Sequence, residues 1–401
     1  MGGENVSPGA SGKTRRRRRA AVAFIGGLAL GVFAFGASLG DRTRSEPSPA
    51  EQLSLKLLAG QRIVIGFEGT AAPPAVRRAI HRGEIAGVVL FAGNLHDRAA
   101  ARRAIRDLQA IPRPAGLRGP LLAMVDQEGG LVKRIGGPPT ASAREMGERG
   151  AAFSRRQGRR AAANLRGAGV NVDLAPVLDV ARPGGAIART DRGFGSTSGR
   201  VGATAVPFAA GLQRGGVAAT AKHFPGFGAA RVNTDFAVQR IVLSKAELRR
   251  VDERPFRAFV AAGGEIVMMS TAIYPAFSPR PAAFARSLAT GELRGRLGFE
   301  GVSVTDALGS VAVRAFGGPA RAASAAASAG VDLLLFADHR EGARARRALL
   351  RGLRSGRLSR AAFERSVDRV LSLRRELGSS EARRGSARPS RSRPGGSWER
   401  G

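Results

Sequence analysis

The sequence predicts an α/β fold, a (β/α)8 TIM barrel, because eight apolar runs alternate with helical stretches along the chain. Each run is continuously apolar rather than alternating, as is typical of parallel strands covered by helices. Intervening stretches such as 71–84 and 348–377 have the spacing and length of helices. An open doubly wound sheet is the alternative, but no GxGxxG follows the first run. The runs span residues 62–67, 87–92, 121–126, 170–180, 217–224, 265–274, 301–308 and 331–337.

The composition is that of a globular protein with an extreme basic charge. Of 401 residues, 43% are hydrophobic and 24% charged, which excludes wholesale disorder. The net charge is +34, and 60 of the 65 basic residues are Arg, a bias that we attribute to genome composition. We expect non-specific contact with anionic polymers, whereas 5% aromatic content and the lack of a recognised motif argue against specific nucleic-acid binding. With no Cys and only four His, we expect no disulfide, no metal and no cofactor.

The N-terminal 50 residues predict membrane targeting. Residues 1–19 end in five consecutive Arg, and residues 20–40 contain no charged side chain. At about 1.5 Å per residue this stretch spans the roughly 30 Å hydrocarbon layer, so we expect a transmembrane anchor. The basic segment would lie in the cytoplasm and the body outside the membrane. A cleaved signal, which would release a secreted protein, and a buried core helix are the alternatives. Residues 41–50 form a polar linker.

The body and the C-terminus differ in composition. Residues 51–377 carry all eight apolar runs and are predicted to form a single catalytic domain. Residues 378–401 are rich in Arg, Ser, Pro and Gly, and residues 382–401 have no periodic apolar face. Such a segment cannot bury enough apolar surface to offset its ordering entropy, so we predict a disordered basic tail.

Polar side chains lie at the ends of several runs, where (β/α)8 barrels place their active residues. Carboxylates bind neighbouring hydroxyl groups and cationic donors bind hydroxyl or amide oxygens, so the set predicts a ligand rich in hydroxyls. A carboxylate facing an anomeric carbon would serve as a glycosidase nucleophile, although a single Asp at a strand end is more often a helix N-cap. The residues are Asp126 and Arg134 after the third run, Arg192 after the fourth, Lys222 and His223 in the fifth, and Asp306 in the seventh.

Six longer motifs occur in one order along the body: GVVLFAGNL, MVDQEGGLVKRI, GVNVDLAPVLDV, DRGFG, AKHFPGFG and LRGRLGFEGVSVTDAL. In these motifs the chain resembles the N-terminal catalytic domain of family 3 glycoside hydrolases, in particular the single-domain bacterial β-N-acetylhexosaminidases. The resemblance implies a retaining exo-β-glycosidase that acts on peptidoglycan-derived glycans. It further implies Asp306 as nucleophile, and Asp126, Arg134, Arg192, Lys222 and His223 as the residues that hold the sugar.

The loop after the fifth run departs from the family pattern. Where the bacterial enzymes have an Asp-x-His pair whose His is the general acid/base, this chain has Asn233, Thr234 and Asp235. Phe227 replaces the second His of the preceding turn, and Thr271 stands where many members have a His after the sixth strand. The nucleophile is therefore present, but the acid/base position is altered.

Two interpretations of this departure are open. In the first, Asp235 donates the proton, with its pKa raised by burial beside Phe236 or Phe227 or by the charge of Asp306. In the second, the protein has lost turnover and is a membrane-anchored glycan-binding protein. A β-glucosidase on the same barrel is a further alternative.

Overall fold

The structure is a computed structural model that describes residues 46–95, 97–117 and 119–386. The chain divides into two units, Met1–Glu46 and Pro47–Gly401. The second unit contains every described helix and strand.

Eight parallel strands follow one another in chain order around one sheet. The first and eighth strands pair directly, and the seventh and eighth meet at a parallel bridge between Val304 and Leu333. The sheet is therefore a nearly closed barrel, as the alternating runs predict. The strands are β1 Ile63–Ile65, β2 Gly87–Val89, β3 Leu122–Val125, β4 Val172–Asp173, β5 Ala218–Phe224, β6 Ile266–Met269, β7 Val302–Thr305 and β8 Leu334–Phe336.

Each strand lies within one of the eight predicted runs, and every strand is shorter than its run. The run 170–180 is the extreme case, because regular pairing covers only β4. Pro176 has no N–H to donate to a neighbouring strand. The chain then continues irregularly beside β5, where Leu178 N donates to Lys222 O at 2.7 Å.

Helices surround the sheet, and several begin at a capping side chain. Asp97 accepts a hydrogen bond from Ala100 N at 2.8 Å, and Asp338 accepts from Arg340 N at 2.9 Å. Such caps satisfy the free N–H groups of a first helical turn. The α-helices are α1 Leu55–Gly60, α2 Pro74–His81, α3 Arg98–Gln109, α4 Ala143–Arg149, α5 Ala151–Gly167, α6 Ala186–Arg189, α7 Ser198–Arg214, α8 Lys245–Glu247, α9 Arg254–Ala261, α10 Val311–Arg314, α11 Gly318–Ala329, α12 His339–Arg354 and α13 Arg360–Ser386. Two 3₁₀ segments, Ala92–Asn94 and Ala282–Phe284, and two π segments, Leu248–Asp252 and Ser287–Arg296, complete the set.

Two apolar layers hold the barrel together. The larger layer packs the helices against the outside of the sheet. The smaller one fills the interior, and residues Val370, Leu373 and Leu377 of α13 belong to it. Because α13 packs against β7 and contributes to this interior layer, one end of the barrel is closed by helix. The strand residues of the interior are Val64, Val89, Leu122, Met124, Val172, Ala218, Ile266, Met268, Val302, Val304 and Leu335.

The two ends of the chain were predicted to differ from the body. Helix α13 continues to Ser386, so the predicted disordered tail is wrong for residues 378–386, which extend the helix beyond the predicted boundary. The remaining tail residues, 387–401, lie outside the described part, as does the predicted anchor at 20–40. Within the described ranges, no helix has both the length and the apolar character needed to cross a membrane.

Candidate active site

A pocket of about 420 Å³ lies where the strands end at their carboxyl termini. It brings together side chains that are far apart in the sequence, such as Asp126 and Asp306, which are separated by 180 positions. All the residues that the sequence predicts for the site line this pocket, namely Asp126, Arg134, Arg192, Lys222, His223, Asp235 and Asp306.

A tight hairpin after β3 positions the first two of these side chains. Asp126 follows β3 directly, and a bridge joins Gly129 to Val132. Gly129 has a φ of 97°, and a Cβ added there would lie 2.1 Å from Ala141 O, so the turn requires glycine. The hairpin returns the chain so that Arg134 Nη2 lies 3.8 Å from Asp126 Oδ2.

Glu128 is the centre of the charged network in the pocket. Its Oε1 lies 2.8 Å from Lys222 Nζ. Arg192 donates to both oxygens of the same carboxylate, from Nε at 2.8 Å and from Nη2 at 2.7 Å. Lys222 Nζ also donates to Asp126 Oδ1 at 2.6 Å. One buried carboxylate therefore orients the two cations whose other faces line the pocket.

These contacts decide the protonation of the network. Burial alone raises the pKa of Glu128, but the charges of Lys222 and Arg192 outweigh burial and hold that pKa well below its usual range. Burial lowers the pKa of Lys222, yet the charges of Asp126 and Glu128 more than reverse the effect, and its pKa is raised. The pKa of Arg192 is raised for the same reason, chiefly by Glu128. All three groups are ionised at neutral pH.

Asp179 fixes the ring of His223. Asp179 is fully buried, and its Oδ1 accepts hydrogen bonds from His223 N at 3.1 Å and from Phe227 N at 2.7 Å. Its Oδ2 lies 2.7 Å from His223 Nδ1. Because Nδ1 is engaged, Nε2 is the ring atom left to contact a ligand. Phe227, the residue that replaces a family His, packs edge-on against this ring with centroids 5.7 Å apart.

Two further carboxylates line the pocket without an ion pair among the described residues. Asp306 follows β7, and its Oδ1 accepts from Ala307 N at 2.7 Å. Asp235 lies in the loop after β5, where its Oδ2 accepts from Asn233 Nδ2 at 3.0 Å. Partial burial, and then the negative charge of Asp306, raise the pKa of Asp235. The exposed ring of Phe236 is not the cause, because it is 75% accessible to solvent.

Sequence reasoning missed Glu128 and Asp179. Both lie in segments that carry other predicted site residues or a predicted strand. Glu128 lies two positions after Asp126 in the same glycine-rich motif, and Asp179 lies near the end of the fourth apolar run. Thr271, by contrast, is buried away from the pocket lining, so it does not take the place of the family His.

The pocket does not share the positive excess of the chain. Four carboxylates and three cations line it, whereas the whole chain carries +34. Such a lining suits a neutral ligand with many hydroxyl groups rather than a polyanion. The carboxylates are Asp126, Glu128, Asp235 and Asp306, and the cations are Arg134, Arg192 and Lys222.

Comparison with known proteins identifies the domain. Residues 57–373 match the Glycosyl hydrolase family 3 N terminal domain. The chain is 35% identical over 341 residues to an uncharacterized secreted glycosyl hydrolase of Arthroderma benhamiae, covering 82% of this chain and 96% of that protein. It is 35% identical over 284 residues to a beta-hexosaminidase of Stenotrophomonas maltophilia, covering 68% of this chain and 82% of that enzyme.

Solved structures agree with the sequence relatives. A β-N-acetylhexosaminidase from Beutenbergia cavernae superimposes with a TM-score of 0.74 at 30% identity, over 80% of this chain and 98% of that one. A family 3 β-N-acetylglucosaminidase from a Paenibacillus species gives a TM-score of 0.76 at 33% identity and 81% of this chain; the match spans 63% of that longer enzyme. The chain therefore belongs to glycosyl hydrolase family 3 and is a glycoside hydrolase that acts on O-glycosyl compounds.

Proposed function

We propose that the protein is a retaining, exo-acting β-N-acetylhexosaminidase that acts on peptidoglycan-derived cell-wall glycans. Asp306 would be its nucleophile and Asp235 its general acid/base. The observation that carries this proposal is the contrast among the pocket carboxylates. Asp126 and Glu128 are paired with cations, whereas Asp306 and Asp235 have no cationic partner in the described residues. Most retaining glycosidases use two carboxyl groups, one as nucleophile and one as general acid/base.

In the first step, an oxygen of the Asp306 carboxylate bonds to the anomeric carbon of the substrate. The bond between that carbon and the glycosidic oxygen breaks, and the electron pair goes to the oxygen. The carboxyl group of Asp235 donates a proton to this oxygen, so that the leaving sugar departs as an alcohol. The raised pKa of Asp235 supports this role, because an acid must be protonated before the step.

In the second step, water hydrolyses the glycosyl-enzyme ester. Asp235, now a carboxylate, accepts a proton from the water while the water oxygen bonds to the anomeric carbon. The ester bond breaks and its electron pair returns to Asp306. Two inversions at one carbon leave the β configuration unchanged.

The remaining pocket residues would hold the sugar. Asp126 and Arg192 offer carboxylate oxygens and guanidinium N–H groups to ring hydroxyls, and Lys222 adds an ammonium group between them. His223, fixed through Nδ1, would contact the sugar through Nε2. Fixed donors and acceptors of this kind orient the anomeric carbon toward the nucleophile without a change of rotamer.

We also propose that the catalytic domain works outside the cytoplasmic membrane, either anchored by residues 20–40 or secreted after their cleavage. The uncharged length of that stretch and the basic segment before it support the proposal. An anchored protein would stay in the membrane pellet after carbonate extraction. Recovery in the carbonate-soluble fraction at full length would contradict anchoring.

Hydrolysis of a panel of 4-nitrophenyl β-glycosides by the full chain tests the proposal, with Asp306→Asn as the background control. We expect the N-acetylglucosaminide to be cleaved at least about tenfold faster than the glucoside, a difference of about 1.4 kcal/mol in activation free energy. The first product seen by proton NMR should be the β anomer. Preference for the glucoside would favour the β-glucosidase alternative. Binding of muropeptides without any hydrolysis would favour the glycan-binding alternative.

A further inference from the structure

Phe236 is unusual among the aromatic residues of this chain. It is 75% exposed, whereas each of the other Phe and Tyr side chains in the described ranges is buried or half-buried. A large apolar ring left in water lacks the free energy that burial would supply, and beside a pocket such a ring is available to pack against a ligand. Phe236 follows Asp235 directly in the chain, and Asp235 lines the pocket.

The loop that carries Phe236 is held by its own hydrogen bonds. Phe236 N donates to Asn233 O at 3.0 Å, and Asp235 N donates to Asn233 Oδ1 at 3.1 Å. The buried residue Thr234 joins the loop to α10, because its O accepts from Ala312 N at 3.2 Å. The ring is therefore presented to solvent from a hydrogen-bonded turn that is joined to α10 through Thr234.

Two further exposed apolar side chains stand next to residues of the pocket or of its neighbouring helix. Leu131, in the hairpin after β3, is 81% exposed and stands next to Val132, which lines the pocket. Val311, at the start of α10, is 47% exposed and precedes the residue that bonds to Thr234. Polar and apolar side chains line the pocket in nearly equal number, whereas Phe236, Leu131 and Val311 are exposed, apolar and outside that lining.

We propose that Phe236 is the platform for the sugar on the leaving-group side of the scissile bond. The inference rests on the proposed function, since Asp235 would protonate the oxygen that carries this sugar. The group attached to that oxygen must extend from the pocket past Asp235, and the exposed Phe236 is the next residue in the chain. Phe236 is absent from the pocket lining, so it would contact the leaving group and not the sugar that Asp306 attacks.

The chemistry of the ring defines the class of ligand. A pyranose has a face of C–H groups that packs against an aromatic ring, and such contact has no directional hydrogen bond. Phenylalanine has no polar atom with which to select hydroxyl, acetamide or ether substituents. The leaving-group site should therefore accept different pyranoses. It would require a face of C–H groups on the sugar, but no particular substituent.

Two substrates with the same sugar to be cleaved test this site. In β-N-acetylglucosaminyl fluoride the leaving group is a fluoride ion, which cannot contact a platform. In N,N′-diacetylchitobiose it is a second pyranose. We expect Phe236→Ala to lower the ratio of kcat/KM for the disaccharide to kcat/KM for the fluoride by about tenfold. Phe236→Tyr should restore the ratio, and Val242→Ala, which removes an equally exposed apolar side chain outside the pocket lining, should leave it unchanged.

A binding measurement separates failure of this inference from failure of the proposed function. Calorimetry with the thio-linked disaccharide, which resists hydrolysis, and with methyl β-N-acetylglucosaminide needs no turnover. We expect Phe236→Ala to weaken disaccharide binding at least about fivefold more than binding of the methyl glycoside. If the unaltered protein cleaves neither substrate but this difference is present, the proposed hydrolysis is wrong and the platform stands. Equal changes for both ligands, or an unchanged rate ratio, would overturn the platform.

Discussion

Both ends of the barrel bury charged side chains, but the two ends use them differently. At the amino-terminal end of the strands, Asp332 accepts five hydrogen bonds, from Arg294, Arg369 and Ser303. A carboxylate offers about four lone-pair directions, so Asp332 has no capacity left for a ligand. At the carboxyl end, Asp306 accepts one hydrogen bond within the described part of the chain, from Ala307 N, and lines an open pocket. The hydrogen-bond acceptors of Asp332 are therefore all used within the protein, whereas those of Asp306 remain available to a ligand.

The cations show a matching difference. Burial lowers the pKa of Arg62 to about 10 and that of Arg374 to about 9 at the closed end. Arg374 is held there by neutral acceptors, with Gln61 Oε1 at 2.6 Å and Pro120 O at 2.8 Å. At the mouth, the pKa of Lys222 is raised instead, because two carboxylates outweigh its burial. At the closed end, charged side chains bond to other secondary-structure elements. At the mouth, charged side chains are held so that they face a cavity.

The largest expected effect is the loss of the available carboxylate at the mouth. Asp306→Asn retains an oxygen that can accept from Ala307 N but removes the negative charge, so the covalent step should fail with the fold intact. We expect at least about a thousandfold loss in turnover, or about 4 kcal/mol in activation free energy. Steady-state kinetics measures this loss, and a 2-fluoro glycoside should label Asp306 alone in a peptide mass map. Near-normal turnover of the variant would contradict the assigned nucleophile.

The saturated carboxylate should matter for stability and not for chemistry. Asp332→Asn leaves Arg294 and Arg369 without a buried counter-charge, and we expect a loss of about 3 kcal/mol in the free energy of unfolding. Denaturant unfolding measures the loss, with Glu300→Gln as a matched exposed control. The turnover of the folded fraction should not change.

The same carboxylate predicts the pH dependence of that stability. Burial tends to raise the pKa of Asp332, but Arg294 and Arg369 outweigh it and the pKa in the folded state is lowered. Its contribution is therefore present above the unfolded pKa of about 3.9 and is lost as the pH falls through the folded value. The difference between the parent and Asp332→Asn should disappear only in strong acid. A difference that disappeared near neutral pH would contradict the assigned ion pairs.

Replacing Asp235 should slow hydrolysis only of substrates whose leaving group must be protonated. We expect Asp235→Ala to slow hydrolysis of disaccharides at least about a hundredfold, since a sugar alkoxide cannot leave unprotonated. Formation of the glycosyl-enzyme from a dinitrophenyl glycoside should hardly change, and the intermediate should accumulate. Azide, which needs no deprotonation, should release it as a β-glycosyl azide.

The pH profile is a second measure of Asp235. Because its pKa is raised in the folded protein, Asp235 stays protonated to a higher pH than an ordinary Asp, and activity should fall as the pH rises through that value. The alkaline limb of kcat/KM should vanish in Asp235→Ala. Replacing Asp306 by Asn should lower the pKa of Asp235, because the charge of Asp306 contributes to the shift. Equal losses on good and poor leaving groups without azide rescue would mean that Asp235 only shapes the loop.

The smallest expected effect is that of Glu128, which we infer to be a positioning residue. Glu128→Gln offers Arg192 and Lys222 one neutral oxygen in place of two charged ones, so both cations lose their fixed orientation. We expect a loss of about tenfold to a hundredfold in kcat/KM, comparable to other supporting-shell changes. The loss should be the same for good and poor leaving groups and should appear mainly in KM. A loss confined to poor leaving groups would give Glu128 a part in proton transfer instead.

The polar residues at strand ends could be expected to meet, because parallel strands bring their carboxyl ends to one face of the barrel. Asp126 and Asp306 follow β3 and β7 directly, and Lys222 and His223 lie at the end of β5. Arg192 was harder to place from the sequence, because it lies in a loop between α6 and α7 and not at a strand end. Its direction depends on a bidentate contact with a residue 64 positions away. Glu128 and Asp179 were missed because the local sequence does not distinguish a carboxylate that binds a ligand from one that orients other side chains of the site.

The sequence by itself determined the alternation of strands and helices, the family, and most of the charged side chains that reach the mouth of the barrel, because these depend on apolar periodicity and on motifs that are continuous in the chain. The tertiary structure alone decided which carboxylates are paired and which are available. Glu128 and Asp332 are both buried acids with two cationic partners, yet one borders a cavity and the other does not. The physical reason is that pairing, burial and pKa depend on distances between distant segments. Only the packing of distant strands brings Lys222 within 2.6 Å of Asp126 and leaves Asp306 without a cation among the residues that the structure describes.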